Sequence, residues 1–308
     1  MDFYRQTSKK LENIIKRREL MTRQLKADLS LLAVTVVWGA SFPIMSIAFK
    51  SVPPYSFIAI RYILSALILG IVFIKRFKSF NKEMLKPGIW IGLALGIGCI
   101  LQAVGLLYTT PSKSGFITGL NVIFVPIFIA LLYKKLPDFK TNIGVVLSVS
   151  GLALMSISGG MGINIGDLLT LLSAVAFAAQ IILVDKFSRN SDLAILTTIE
   201  FLTVGLLSTV PAVFVEGFKM DLNLFAIGAI IFTALFCTIF AYGLQNVAQA
   251  YTTPTHTAII FLAEPVFSAI FSVFIGDKLS GRTFWGCLLI LIGMIIINFK
   301  MERKGELA

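Results

Sequence analysis

The chain has 308 residues, of which 57% are hydrophobic and 14% charged, against roughly 25% charged in an ordinary soluble domain. A water-soluble globule is excluded, because helices built from such runs would be apolar on every face. The formal net charge of +11 would suit a nucleic-acid partner only if the basic residues formed one patch, and they fall instead in alternate loops between apolar runs.

Residues 1–27 form a basic arm carrying Arg5, Lys9, Lys10, Lys16, Arg17, Arg18, Arg23 and Lys26. Leu11, Ile14, Ile15 and Leu25 could give it an apolar stripe against an anionic inner leaflet; the alternative is a solvated tail that helps set orientation. It is too charged for a signal peptide, and no cleavage is expected. Ten apolar runs follow, at 29–49, 55–75, 88–109, 114–133, 141–159, 166–185, 193–215, 223–244, 253–275 and 283–300, each near the roughly 20 residues needed to cross about 30 Å of hydrocarbon. They divide into a first repeat, 28–159, and a second, 160–301, joined through the uncharged linker Ser158-Gly159-Gly160-Met161-Gly162-Ile163-Asn164, with a tail at 302–308. If the N-terminus is cytoplasmic, the outer loops keep only Lys50, Lys113, Lys219, Lys278 and Arg282, while the arm, the 75–86 loop and the other inner segments hold the remaining basic residues outside the membrane. The positive-inside rule then places both termini in the cytoplasm and the chain in the cell membrane. Cys99, Cys237 and Cys287 lie within apolar runs, so neither a disulfide nor a metal framework is implied.

The chain repeats itself. Tyr108-Thr109-Thr110-Pro111 recurs 143 positions later as Tyr251-Thr252-Thr253-Pro254, and the same offset pairs Gln102 with Gln245, Ile127-Phe128 with Ile270-Phe271, and Lys135-Leu136 with Lys278-Leu279. An offset of 139 sets Trp38 against Phe177 and Arg61 against Glu200. Five is an odd number of crossings, so a second five-helix unit must enter from the opposite face. The predicted fold is all-α: a polytopic membrane protein of ten transmembrane helices built from two inverted five-helix repeats. Such repeats place a substrate near the bilayer midplane, where the halves meet.

A charge inside the bilayer costs at least about 2.5 kcal/mol and normally faces protein or a cavity. Three residues qualify: Arg61, Glu200 and Glu264. Glu264 falls about 16 Å into its helix by rise. The following Pro265 removes a backbone donor and is expected to kink the helix; Asn121 stands at the matching place in the first half, with Pro126 beyond it as the candidate kink there. Glu264 is a candidate for gating, substrate contact or proton binding, or a structural carboxylate serving groups freed by Pro265. Arg61 and Glu200 should lie about 10 Å apart in depth, so a direct ion pair does not follow from their matched positions. Gln102 and Gln245 suit a ligand or a neighbouring helix equally. Trp38 and Tyr242 are candidate cavity walls, whereas Tyr108 and Tyr251 read as interfacial anchors. His256, the only histidine, aligns with Lys113; a gating or relay role competes with simple hydration, and one histidine makes no zinc site. Gly92, Gly96 and Gly98 predict close helix packing. The chain has neither HExxH nor GxSxG, and no cofactor or enzymatic chemistry is expected.

Together, Trp38-Gly39, Arg61-Tyr62, Tyr108-Thr109-Thr110-Pro111, Glu264-Pro265, Gly276-Asp277-Lys278-Leu279, Gly286 and Gly293 resemble the EamA family of the drug/metabolite transporter superfamily over nearly the whole chain after the arm. The resemblance implies ten helices around a central cavity, the fifth of each half more peripheral, and export of small molecules by alternating access. The sequence departs from the family pattern at Asn121-Val122, where proline often follows the polar residue, and at Gly276-Asp277, where Gly-Glu is common. The expected function is secondary transport of amino acids or similar metabolites, with protons as the candidate coupling ion and the lipid bilayer as the other partner. The competing readings are a broad drug or amphiphile exporter and a membrane receptor that binds without moving its ligand. Oligomeric state is not legible.

Overall fold

A computed structural model describes residues 2–109, 111–134, 139–156, 164–189, 191–274 and 280–301, with side chains left out at 2–21, 112, 113, 133, 155, 156, 272, 274 and 297–301. The expectations on the 158–163 linker, on Lys135-Leu136 and on Gly276-Asp277-Lys278-Leu279 lie outside the described residues, as does the side chain of Lys113.

The first helix, α1, runs unbroken from Asp2 to Ala48. No boundary marks the end of the basic arm, because no glycine precedes Gly39, no proline precedes Pro43, and the arm's Lys, Leu, Glu and Arg residues are good helix formers. Next come α2 (Pro54–Val72) and α3 (Leu85–Leu106). The fourth apolar run is two helices, α4 (Pro111–Gly119) and α5 (Asn121–Tyr133), interrupted at Leu120. Then follow α6 (Phe139–Ser156), α7 (Ile165–Ser188) and α8 (Leu193–Phe214). The eighth run contains α9 (Leu224–Phe232), a π-helical stretch at Thr233–Phe240 and α10 (Ala241–Gln249). The ninth is again divided, into α11 (Pro254–Phe261) and α12 (Ala263–Phe274), and α13 (Gly281–Met301) closes the order.

Among the described residues, eight segments are long and apolar enough to cross a membrane: Thr22–Ala48, Pro54–Val72, Lys82–Leu106, Ser114–Leu132, Ile165–Ser188, Leu193–Phe214, Leu224–Gln249 and Pro254–Phe271. Phe139–Leu154 and Gly281–Ile296 are shorter apolar helices. The chain is therefore a multi-pass, all-helical membrane protein.

Acidic and amide side chains satisfy the helix starts, where backbone donors have no partner within the helix. Asp192 accepts from the backbone of Ala194 and Ile195 at the head of α8, and Asn164 with Asp167 forms a reciprocal capping box on α7. Glu216, from the far end of α8, accepts from Tyr55 N at 2.9 Å and Ser56 N at 2.8 Å, capping α2.

Packing pairs interchange when the halves are exchanged. The second and seventh runs pack as α2 on α8, and the fifth and tenth as α6 on α13. The third run's α3 lies on α7, as α10 lies on α1; α12 lies on α1, as α4 and α5 lie on α7. Small residues permit these approaches. A Cβ on Gly92 of α3 would sit 2.7 Å from the Glu200 carbonyl of α8, and one on Gly151 of α6 would sit 2.5 Å from the Gly286 carbonyl of α13. Gly39 brings α1 against α12, where an added Cβ would meet Ser268 N at 2.8 Å. The predicted packing role holds for Gly92 and Gly96 against α8, while Gly98 accommodates the Phe177 ring of α7.

Candidate functional site

A central cavity lies between the halves. Four apolar runs of the first half contribute: Trp38, Ser41 and Met45 from α1, Arg61 from α2, Cys99 and Gln102 from α3, and Thr118 and Asn121 from the divided fourth run. Phe177, Gln180 and Ile181 of α7, Tyr242 of α10, Phe261 of α11 and Glu264 of α12 complete the wall. Most of this lining obeys the sequence repeat. The 139 offset pairs Trp38 with Phe177 and Ser41 with Gln180, and the 143 offset pairs Cys99 with Tyr242, Thr118 with Phe261, and Asn121 with Glu264.

The two helix interruptions position the last pair. Leu120 bonds back to Ile117 O and Leu262 to Ile259 O, each in the tighter i to i−3 pattern. Asn121 follows one break and Glu264 the other, so both stand in the first turn of a half-helix facing the cavity. Pro265 is the third residue of α12, where its missing N–H costs no intrahelical bond. Pro126 lies six residues beyond Leu120, inside α5, so the break is set ahead of the proline rather than at it. Glu264 has no hydrogen-bond or ionic partner among the described residues; the Oδ1 atom of Asn121 is buried and unpartnered.

Arg61 is held by the π-helical stretch. Its Nε donates to Thr238 Oγ1 at 2.6 Å and its Nη2 to the Cys237 carbonyl at 3.1 Å, with Met45 Sδ 3.7 Å from Nη1. Trp38 Nε1 donates to the same carbonyl, at 3.0 Å. One backbone oxygen thus anchors both a cationic and an aromatic wall residue. Trp38 in turn packs at 4.9 Å from the Tyr242 ring and 5.0 Å from the Phe261 ring, centroid to centroid. Tyr62 and Cys99 are linked at 3.2 Å between hydroxyl and thiol.

Two expected wall residues lie elsewhere. Glu200 is fully buried behind the wall, accepting from Gln180 Nε2 at 3.2 Å on Oε1 and from Asn246 Nδ2 at 2.9 Å on Oε2. Gln245 is also fully buried and donates to Gln180 Oε1 at 3.1 Å and Gln249 Oε1 at 2.7 Å. Its repeat partner Gln102 does face the cavity, bonded to Thr118 Oγ1 at 2.9 Å. The difference is local: Gln180 stands between Gln245 and the cavity, and the matching position in the first half is the short Ser41. Arg61 and Glu200 form no ion pair; each has its own polar partners.

His256 lies outside the cavity, buried in the first turn of α11 rather than hydrated. Its Nδ1 is 2.8 Å from Thr252 Oγ1 and 3.4 Å from Asp28 Oδ1. The other copy of the repeated tetrapeptide makes a parallel contact, Thr109 Oγ1 donating to Asp167 Oδ1 at 2.9 Å, and Asp28 and Asp167 are themselves 139 positions apart. Tyr108 and Tyr251 are exposed at 56% and 51%.

Ser41, Met45, Cys99, Thr118, Gln180, Ile181 and Phe261 line the cavity beyond the residues that type and depth single out in the sequence, and Phe177 enters as the repeat counterpart of Trp38. The repeat carried a usable signal for most of them: applying the two offsets to each candidate, and then to its helical neighbours, reaches Gln180 and the Cys99 and Thr118 pairs.

The model of the EamA-like transporter family matches twice, over residues 25–157 and 164–299. The chain belongs to this family. An uncharacterized transporter of Archaeoglobus fulgidus is 35% identical over 280 residues, covering 91% of this chain and 88% of its own length. The uncharacterized transporter YyaM of Bacillus subtilis is 24% identical, covering 89% of this chain and 93% of its own. A solved crystal structure aligns at TM-score 0.73 with 18% identity, covering 91% of this chain and 99% of that one, a likeness of fold. The EamA-like protein is thus a two-repeat membrane transporter whose substrate is a small molecule.

Proposed function

We propose that this EamA-like protein is a secondary exporter of amino acids or similarly small zwitterionic metabolites. It has ten crossings in two inverted repeats, both termini are cytoplasmic, and the halves rock about the central cavity. The observation that carries this reading is the composition of the wall: five pairs of repeat-equivalent residues converge on one cavity. A site built from both halves at equivalent positions changes shape when the halves tilt against each other, as alternating access requires.

The chemistry of the wall favours a zwitterion. Glu264, open to the cavity and unpartnered among the described residues, is available to an ammonium group. Arg61 faces a carboxylate with the N–H groups left over from Thr238, Cys237 and Met45. Trp38, Phe177, Tyr242 and Phe261 supply apolar walls between these poles. The same four rings beside an acidic group also suit cationic amphiphiles, which keeps broad drug export as the second reading.

Flux of labelled amino acids and nucleosides from sealed proteoliposomes, with and without an imposed pH gradient, tests both readings. Saturable amino-acid flux accelerated by the gradient is expected. Competition by many unrelated organic cations would transfer the assignment to amphiphile export, and ligand binding without flux would make the protein a receptor.

A further inference from the structure

Behind the cavity wall lies a second polar site, built around Glu200. Glu200 is 0% exposed and sealed on one side by the close approach of α3, whose Gly92 lies against the Glu200 backbone. Its two oxygens meet only amides among the described residues: Gln180 on one, Asn246 on the other. The amides continue inward. Gln245 bridges Gln180 to Gln249, Gln249 donates to the Ile181 carbonyl at 3.0 Å, and Asn246 also donates to Thr197 Oγ1 at 2.8 Å.

The surrounding titratable groups do not neutralise the carboxyl. Cys99 of α3 is the thiol within electrostatic reach, and beyond it stand Tyr62 and Arg61 of α2 and Tyr242 of α10. Arg61 is committed to Thr238 and Cys237. The α7 helix presents Gln180 here, while its Asp185 pairs with Arg189 near the helix end; Asp192, heading α8, pairs with Arg76. A buried ion without a counter-ion bears its desolvation cost alone. An amide partner, unlike lysine or arginine, serves both states of a carboxyl: its N–H₂ bonds the ionised form, and after a half-turn its oxygen accepts from the protonated form. The Oδ1 of Asn246 and the Oε1 of Gln245 are buried with no donor among the described residues, so this cluster has acceptor capacity to spare.

Gln180 belongs to both sites, lining the cavity while donating to Glu200. Resting on the transport reading above, we propose that Glu200 is the proton-binding site that couples flux to the proton gradient, with Gln180 as the shutter between it and the substrate. A substrate that engages the Gln180 amide uncovers Glu200 Oε1 to cavity water. A proton then moves from water on one face onto a carboxylate oxygen and leaves to water on the other face, with no covalent change in the substrate. Glu264 keeps the substrate's ammonium, so the two carboxyls divide the work.

The test combines a proton readout with a transport readout on wild type, Glu200→Gln and Glu264→Gln. Acid-minus-alkaline infrared difference spectra of the reconstituted protein should show a carboxyl C=O band that disappears in Glu200→Gln and persists in Glu264→Gln. In proteoliposomes, Glu200→Gln should lose the acceleration by a pH gradient by about ten-fold or more while exchange at equal pH remains measurable. Gln180→Leu should weaken the same coupling without removing the infrared band. An unchanged band, or undiminished gradient acceleration in a folded Glu200→Gln protein, overturns the proposal. Absence of flux from wild type with every substrate tried defeats the transport reading and the coupling role with it, whereas the infrared band alone decides whether Glu200 takes the proton.

Discussion

Glu264 and Arg61 occupy the same cavity but carry different burdens. Glu264 has no partner to lose among the described residues, so replacing it by glutamine should leave the fold intact and weaken a zwitterionic substrate by roughly 10–100-fold, the value of a charged hydrogen bond of about 1.5–3 kcal/mol; calorimetric titration of the purified protein measures this. Arg61 instead joins α2 to the π-helical stretch through Thr238 Oγ1 and the Cys237 carbonyl. Lysine carries the charge but not the fork, so Arg61→Lys should lower thermal stability by about 1–3 kcal/mol as well as impair binding. A double-mutant cycle with Thr238→Val should show non-additive losses, because both changes remove the same contact. Additive losses would mean that the guanidinium serves the cavity alone. Residue type and depth made Arg61, Asn121 and Glu264 legible in sequence. The allocation of partners was not: whether an intramembrane charge meets solvent, a carbonyl or an amide depends on the neighbouring helix, and Glu200 and Gln245 turned away from the cavity because Gln180 occupies the space in front of them.

At the scale of elements, the glycines of α3 could be read as a packing face, but sequence did not show which helix they face. Gly92 meets α8 so closely that any side chain there must push Glu200 and the Thr203 side chain aside. Gly92→Leu should therefore cost about 1–3 kcal/mol or more through overpacking, and it should disturb Glu200 even though the substituted residue touches no substrate. Gly228 of α9 has nothing within 4 Å of an added Cβ, and Gly228→Leu supplies the control: its melting temperature in detergent should stay near wild type while that of Gly92→Leu falls. The break at Leu262 was partly legible through Pro265, whereas the one at Leu120 falls ahead of Pro126, where a kink was expected. The π-helical stretch was not, because Thr233–Phe240 contains neither glycine nor proline. Its identifiable supports are two tertiary bonds, from Trp38 and Arg61 to the Cys237 carbonyl, and a local one, Thr238 Oγ1 donating to Thr233 O at 2.9 Å across five residues.

For the whole molecule, the duplicated tetrapeptide distinguishes inverted from parallel repeats. Ten apolar runs were legible; among the described residues eight segments have the length and hydropathy of full spans, while α6 and α13 are shorter and pack on each other. Tyr108 and Tyr251 begin the two copies and are both more than half exposed, so cysteines placed there report directly on orientation. The native cysteines interfere little, since Cys99 and Cys237 are buried and Cys287 is only partly exposed. In whole cells, a membrane-impermeant thiol reagent should label Tyr108→Cys, whereas Tyr251→Cys should react only once the membrane is opened or inverted. The physical basis is the charge distribution: the arm ahead of α1 and the 75–86 loop concentrate basic residues, which favours their retention in the cytoplasm, and an odd number of crossings then separates equivalent positions onto opposite faces. Labelling of both cysteines from the same side would require the halves to be parallel, and the cavity could then no longer be a site that each half exposes in turn.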